Sequence, residues 1–278
     1  MSTSVWFSEE FDRTPSPVKM QYLLCGTPRT GSNLLSYSLL SENIGIPLEY
    51  LKFTETILNY QLACRLGVNP QIFNPKTFQV LNPQQFLPEY IPLLQKYRTT
   101  NNSIFGCKVF SHHSDFNKDN TWQIVVQSLL RQSQNLRIIF LERDSIAEQT
   151  VSYYWGAKTR EWSTLTHSSV RWEPVYDFTE LYDIFVAIRE VNYFWKRTFL
   201  PFIGQLGLPI LHIKYEDLNQ HLPETLLRVH QFLGVEASIA NEPPIQKQSN
   251  PLKTEFVNRF QEDLIAHVKQ LKGQRKRK

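Results

Sequence analysis

The chain has 278 residues, of which 41% are hydrophobic and 13% aromatic, which excludes a disordered protein and leaves room for one sizeable core. Its formal charge of +4 at pH 7 is mildly basic and favours an anionic small ligand over nucleic acid. We expect no membrane span and no secretory signal, because no apolar run is long enough and the acidic N-terminal residues lack an apolar stretch. The three cysteines form no CxxC pair, which predicts buried, reduced thiols in a cytoplasmic protein.

The first part of the chain predicts a strand, a helix and a proline-rich insertion. Residues 1–19 are polar, and we expect a loosely ordered segment. QYLLC at 21–25 predicts a short buried strand, followed by a helix over 31–42 and a second short strand over 46–49. Residues 54–100 have a helical pattern that prolines interrupt, so this stretch fits an insertion better than part of a sheet.

The second part alternates strands and helices. Strands are predicted over 105–110, 136–141 and 209–215, and helices over 122–131, 145–158, 179–200, 223–233 and 254–271. This alternation predicts one α/β domain over 20–272, with a P-loop-like parallel sheet flanked by helices and with helical insertions. Residues 273–278 are expected to form a basic, solvated tail.

The loop CGTPRTGSN follows the first predicted strand and opens a helix. Gly26 and Gly31 have the spacing of the glycines in G-x-x-x-x-G-K-[ST], but Ser32 stands where the lysine belongs. Backbone N–H groups at such a turn can cradle a phosphate, and Arg29 adds a bidentate cation, while Ser32 and Asn33 can donate from their side chains. Without the lysine, the loop predicts a ligand with a terminal phosphate and an activated group, handled without a metal. A strand–helix turn without a ligand is the alternative.

Three segments resemble a known family. RTGSN resembles the 5′-phosphosulfate loop of sulfotransferases that use 3′-phosphoadenosine-5′-phosphosulfate (PAPS). FLERDSIAEQTVSYYW resembles their 3′-phosphate segment, in which an arginine and a serine, here Arg143 and Ser152, bind the phosphate. IKYEDL resembles a segment whose tyrosine, here Tyr215, lies by the adenine. An arginine in the first loop, and the layout of the chain over 22–259, look most like the bacterial trehalose 2-sulfotransferase family.

The resemblance implies PAPS as co-substrate, no metal, and in-line attack of an acceptor hydroxyl on sulfur. The cofactor-binding residues that it implies are Arg29, Thr30, Gly31, Ser32, Asn33, Arg143, Ser152 and Tyr215. Lys247 and Gln248 match an arginine–glutamine pair in a loop that covers the cofactor, although lysine lacks the guanidinium fork. Taken alone, Arg143 could instead form a surface ion pair with Glu142 or Asp144.

The acceptor hydroxyl also needs a base. Glu49 ends the predicted strand over 46–49, at the carboxyl edge of the sheet, and matches the proposed base of the trehalose-type family. His112 and His113 are the alternatives, since many other sulfotransferases place a histidine after the corresponding strand. Lys108 is a further catalytic candidate that could contact the sulfuryl group or the acceptor if its strand ends early, with a structural role as the alternative.

We therefore predict a sulfotransferase that acts on a hydroxyl of a carbohydrate or another small acceptor, with a homodimer left open. Trp155, Trp162 and Trp172 offer rings that could stack on a sugar, although core packing is expected for at least one of them. Two other functions stay open. One is a P-loop-type nucleotide-dependent kinase, with Asp144 or Glu142 near Mg²⁺, and the other is a non-catalytic nucleotide- or glycan-binding protein.

Overall fold

The computed structural model describes residues 7–110, 120–162, 173–236 and 250–275. Within these ranges, four parallel strands form a sheet in the order β2-β1-β3-β4. The strands are β1 (Met20–Gly26), β2 (Ile104–Phe110), β3 (Leu136–Glu142) and β4 (Ile210–Lys214). Gly26 at the end of β1 lies opposite Phe110 of β2 and Leu141 of β3, so the carboxyl ends of these strands meet at one edge. The predicted α/β fold with a parallel sheet is confirmed.

Helices pack on both faces of this sheet. They are α1 (Ser32–Ser41), α2 (Thr56–Leu66), α3 (Pro83–Tyr97), α4 (Thr121–Gln132), α5 (Ile146–Thr159), α6 (Phe178–Phe194), α7 (Leu200–Gln205), α8 (Tyr215–Gln220), α9 (Leu222–Leu233) and α10 (Pro251–Arg275). Short 3-10 turns lie at Glu9–Phe11 and Pro70–Ile72. None of the helices in the described ranges is both long and apolar enough to cross a membrane.

Every residue of β1 is buried, which explains its mostly apolar sequence; the buried Gln21 amide donates to the carbonyls of Leu129 and Ser133. Because successive side chains of a strand point to opposite faces, Leu23 and Cys25 join the core layer with α2, α3 and α4, while Tyr22 and Leu24 join the layer with α1 and α9. A third cluster joins α5, α6 and α10; its buried members are Val151, Tyr154, Trp155, Leu181, Phe256 and Phe260. This third cluster fixes α10 beside α5, the helix that follows β3.

The prediction of a second strand over 46–49 is wrong. Only Leu48 forms a bridge, parallel to Cys107 of β2, and its carbonyl accepts from the N–H of Lys108 at 3.0 Å. Pro47 has no N–H to donate, and the N–H groups of Leu48 and Tyr50 are used in local bonds to the carbonyls of Ile46 and Leu48. The segment nevertheless runs in the predicted direction, because the single bridge is parallel.

Two helices are longer than the sequence predicts. Pro88 and Pro92 lie inside α3, which continues through them because its apolar face is buried in the core. The helix predicted over 179–200 continues to Gln205, since a π-helical turn at Trp195–Phe199 joins α6 to α7. Trp195, Phe199 and Ile203 are fully buried along this extension, and their burial stabilises it.

Candidate active site

The loop between β1 and α1 depends on its two glycines. A Cβ on Gly26 would lie 2.6 Å from the carbonyl oxygen of Leu141, so only glycine allows β1 to pack against β3 there. Gly31 has φ 79°, and a Cβ on it would lie 2.9 Å from Leu218 Cδ2 and 3.0 Å from Tyr215 Cδ2. Gly31 is also the N-cap of α1 and offers no side chain, which leaves the first N–H groups of α1 without a side-chain cap. This is the geometry of an anion-binding turn.

Side chains from α5 and α6 hold the loop backbone in place. Gln149 Nε2 donates to the carbonyl of Pro28 at 2.7 Å, and Thr27 Oγ1 donates to Asn192 Oδ1 at 2.5 Å. Within the loop, Thr30 Oγ1 donates to the carbonyl of Thr27 at 2.9 Å. These bonds hold the loop in one conformation before any ligand binds, which is what donors aimed at developing charge require.

Four residues predicted to bind the cofactor lie in contact around this loop, although they are far apart in sequence. Arg29, itself in the left-handed region at φ 70°, donates from Nε to Ser152 Oγ at 3.0 Å. Arg143 approaches the carbonyl of Arg29 at 3.4 Å, and its guanidinium carbon lies 4.2 Å from the centre of the Tyr215 ring. Arg29 also donates to the carbonyl of Trp162 at 2.7 Å.

Arg143 pairs with Glu148, at 2.6 Å, rather than with the two acidic neighbours considered from the sequence. Glu142 instead pairs with Lys196 at 2.7 Å, and Asp144 pairs with Lys214 at 3.0 Å. In the described part of the chain, no group of three or more histidine, cysteine or acidic side chains is placed to hold a metal ion.

A third cation, which the sequence analysis missed, lies at the same site. Lys253 is in the first turn of α10, with its Nζ 5.4 Å from the centre of the Trp155 ring. Burial, and after it the charge of Arg29, lower the pKa of Lys253 to about 8, while Glu161 acts in the opposite direction. A lysine in the first turn opposes the helix dipole, and that mismatch in PLKTEF was the signal that could have identified it.

The pKa of Arg29 is lowered for the same reasons as that of Lys253. Burial, and after it the charge of Arg143, lower the pKa of Arg29 to about 10, while Tyr215 acts in the opposite direction. Arg143 thus repels Arg29, and Arg29 repels Lys253; a bound anion would relieve this repulsion. Chemically, this arrangement of a preformed turn and cationic side chains suits a phosphate- or sulfate-bearing ligand.

Glu49 and Lys108 form a buried ion pair on the other side of the loop. Glu49 is 5% exposed and Lys108 is 1% exposed. Lys108 Nζ lies 2.8 Å from Glu49 Oε1 and donates to Asn33 Oδ1 at 2.6 Å. Strand β2 does not end early, as the sequence analysis required for this contact; it continues to Phe110, and the long lysine side chain still reaches the loop. Burial raises the pKa of the neighbouring Cys107 thiol, and the Glu49 carboxylate raises it further against the effect of Lys108.

The predicted aromatic residues divide by environment. Trp155 is buried against Phe256, at 5.6 Å between ring centres, so it belongs to the core. Trp162 is 37% exposed, and its ring lies over Gly156, where a Cβ would be 3.0 Å away. Five residues from the sequence analysis lie outside the described residues: His112, His113, Trp172, Lys247 and Gln248.

Three solved structures are distantly similar to this chain. The sulfotransferase domain of the Synechococcus PCC 7002 olefin synthase aligns with a TM-score of 0.46 at 14% identity, over 81% of this chain and 76% of that one. Sulfotransferase STF9 from Mycobacterium avium aligns with a TM-score of 0.41 at 16% identity, over 91% of this chain and 69% of that one. A sulfotransferase from Alicyclobacillus acidocaldarius aligns with a TM-score of 0.41 at 12% identity, over 91% of this chain and 96% of that one.

No curated protein matches this chain significantly. The sequence model of a whole family does match it. That model describes the Stf0 sulphotransferases and covers residues 21–263, which is most of the chain and includes the loop, Glu49, Arg143 and Lys253. The protein is therefore a sulfotransferase and belongs to the Stf0 sulphotransferase family.

Proposed function

We propose that this sulfotransferase takes its sulfuryl group from PAPS and transfers it to a hydroxyl of a carbohydrate or another small acceptor. The observation that supports the proposal most is the convergence of Arg29, Arg143 and Lys253 at the loop between β1 and α1. In the reaction, a bond forms between the acceptor oxygen and sulfur, and the bond from sulfur to the 5′-phosphate oxygen breaks. The products are a sulfate ester and adenosine 3′,5′-bisphosphate, and the hydroxyl proton goes to a base.

The loop between β1 and α1 is proposed to bind the reacting end of PAPS, its 5′-phosphosulfate. Negative charge builds on the bridging oxygen as the bond to sulfur breaks, so fixed donors beside that oxygen accelerate the step. Arg29 and the backbone N–H groups of the loop take this role. Ser32 and Asn33 add side-chain donors; because Asn33 Oδ1 accepts from Lys108, its Nδ2 is left to donate.

The other end of the donor is assigned to Arg143 and Ser152, which would hold the 3′-phosphate. Both residues contact Arg29, so Arg29 lies between the two proposed phosphate subsites. Tyr215 lies beneath the guanidinium of Arg143 and is proposed to contact the adenine. Lys253 adds a cation from α10. Lys247 and Gln248 remain proposed members of a covering loop.

Glu49 is the proposed base. Its carboxylate is buried, and Lys108 bridges it to Asn33 of the donor loop, so base and donor loop are connected through one ammonium group. The neighbouring ammonium compensates the charge of the buried carboxylate, whose oxygen is proposed to accept the hydroxyl proton. Lys108 thereby acts on the reaction through Glu49 and Asn33, and it remains a proposed contact of the sulfuryl group or the acceptor.

The acceptor class is inferred from an exposed ring. Trp162 stands next to Arg29, and an indole face can stack on the apolar face of a sugar. A carbohydrate hydroxyl is therefore the first acceptor to test. Cytoplasmic location and homodimer formation remain predictions from the sequence.

Transfer of label from PAPS carrying a radioactive sulfur tests the proposal. The protein is incubated with a panel of mono- and disaccharides and small alcohols, in the presence of EDTA. Labelled sulfate ester should form without metal, and Arg29→Ala should abolish it. If no acceptor is labelled, whereas ATP and Mg²⁺ support phosphoryl transfer, the kinase alternative replaces this account.

A further inference from the structure

The ion pair between Arg143 and Glu148 occupies a donor that the proposed 3′-phosphate would need. Arg143 NH2 lies 2.6 Å from Glu148 Oε2. The Arg143 side chain is 9% exposed, whereas that of Glu148 is 49% exposed. The arginine is therefore the fixed member of the pair, and the glutamate is the member whose side chain can rotate away into the solvent.

Packing restricts Arg143 further. Its guanidinium carbon lies 4.2 Å from the Tyr215 ring centre, and its NH1 faces the carbonyl of Arg29 at 3.4 Å. Its Nε is buried and has no hydrogen-bond partner within the described ranges. A guanidinium held in this way cannot swing to a ligand elsewhere, so an anion must come to it and share it with Glu148 or displace Glu148.

The carboxylate lies on the side of α5 that faces the proposed phosphate. Glu148 and Ser152 are four residues apart on this helix, so their Cβ atoms are about 6 Å apart on one face. Ser152 accepts from Arg29, and Arg29 is next to Arg143. A phosphate between Arg143 and Ser152 therefore lies within one helical turn of the Glu148 carboxylate.

We propose that Glu148 is a built-in counter-ion of the 3′-phosphate subsite, which competes with the phosphate for Arg143. The inference rests on the proposed function. Glu148 weakens the binding of adenosine 3′,5′-bisphosphate and speeds its release after transfer. Its backbone N–H is fixed by Ser145 Oγ at 3.2 Å, at a helix N-terminus that favours negative charge, so the carboxylate stays available to return to Arg143 when the product leaves.

Removing a competing counter-ion and removing a residue that merely orients Arg143 should change the affinity for the 3′-phosphate in opposite directions. If Glu148 competes, its removal tightens the binding of a 3′-phosphate. If Glu148 only orients the guanidinium, its removal loosens that binding. The sign of the change in affinity decides between the two roles.

Calorimetry on Glu148→Gln measures this sign. The affinity for adenosine 3′,5′-bisphosphate should rise about tenfold, its dissociation in stopped-flow should slow by a similar factor, and AMP binding should stay within about twofold. Glu148→Ala should also bind the bisphosphate more tightly, because it removes the same charge. Glu180→Gln is the matched control, since it removes an exposed carboxylate that pairs with Lys158 at 2.6 Å, and it should change nothing.

Three results bear against the inference. Unchanged or weaker bisphosphate binding in both Glu148 variants, with a wild-type protein that prefers the bisphosphate to AMP, overturns the role of Glu148 and leaves the proposed function intact. An equal gain in bisphosphate affinity in Glu180→Gln would show that the effect comes from net charge alone, and it also overturns the role of Glu148. A wild-type protein without that preference removes the 3′-phosphate subsite itself, and both proposals then fall.

Discussion

Lys108 Nζ lies 2.8 Å from the Glu49 carboxylate and 2.6 Å from Asn33 Oδ1, which links the proposed base to the proposed donor loop through one buried ammonium. An isosteric amide in place of the Glu49 carboxylate removes the charge that compensates Lys108, but its oxygen can still accept the hydrogen bond from Nζ. The chemical role of Glu49 can therefore be tested by a substitution that preserves the contact with Lys108.

Glu49→Gln should lower the turnover by about 10²–10⁴, the usual contribution of a positioned general base. PAPS affinity should barely change, because Glu49 does not bind the phosphates in this account. Steady-state kinetics and PAPS binding measure both effects. Glu55→Gln is the control, since it removes a partly buried carboxylate, six residues along the chain, that pairs with Lys52 at 3.0 Å.

The histidine alternative is tested in the same assay. His112→Ala and His113→Ala should each reduce turnover much less than Glu49→Gln does. A glutamine variant with nearly full turnover, together with an inactive histidine variant, would assign the base to one of these histidines.

Arg143→Ala should weaken PAPS binding by about 2–4 kcal/mol, because a charge-assisted contact with the 3′-phosphate is lost. Its melting temperature should stay near that of the wild type. Arg228→Ala is the matched control, because Arg228 is a half-exposed arginine that pairs with Asp217 at 3.6 Å. Normal PAPS affinity in Arg143→Ala would show that this arginine takes part only in ion pairing.

Lys253 should make donor binding depend on pH. Its pKa is lowered to about 8, and a bound anion would raise it, so binding above pH 8 includes proton uptake. The affinity for adenosine 3′,5′-bisphosphate should therefore fall as pH rises from about 8 towards 10. The phosphate monoesters of this ligand titrate near pH 6 and do not contribute to this change.

Lys253→Met should bind the bisphosphate more weakly and lose this dependence on pH. Without ligand, the folded protein binds fewer protons than the unfolded chain between the lowered pKa of Lys253 and its ordinary value. The lysine therefore opposes folding at neutral pH, and this destabilisation is relieved as pH rises through that window. Calorimetry and urea unfolding across this range measure the two effects, and an unchanged pH profile in the variant would contradict them.

Asp12→Asn should destabilise the fold, because Arg98 is fully buried and its NH2 lies 2.7 Å from the Asp12 carboxylate. We expect a loss of about 2–3 kcal/mol, below the 3–5 kcal/mol of a fully buried pair, since Asp12 is 27% exposed. Urea unfolding measures the loss. Arg65→Gln removes the outer partner of Asp12, at 2.9 Å, and should cost about 1 kcal/mol or less. Equal losses in both variants would contradict the importance of burial.

The sheet and the glycine-containing turn between β1 and α1 could be predicted from sequence because local patterns specify them. A continuous apolar run such as LRIIFL indicates a strand buried on both faces, and two glycines with Arg29 between them indicate an anion-binding turn. Three features depended instead on tertiary contacts. Burial of Trp195 stabilises the helix extension, local backbone bonds around Pro47 limit the predicted strand to one bridge, and α10 brings Lys253 to a loop more than two hundred residues earlier in the chain.

The role of Arg143 and Ser152 is tested most directly by calorimetry of the wild-type protein with adenosine 3′,5′-bisphosphate and with AMP, without metal. The two ligands differ only in the 3′-phosphate. The account predicts that the bisphosphate binds at least about thirtyfold more tightly, because a phosphate held by a fixed arginine and a serine contributes about 2 kcal/mol or more. Equal affinity for the two nucleotides would contradict it.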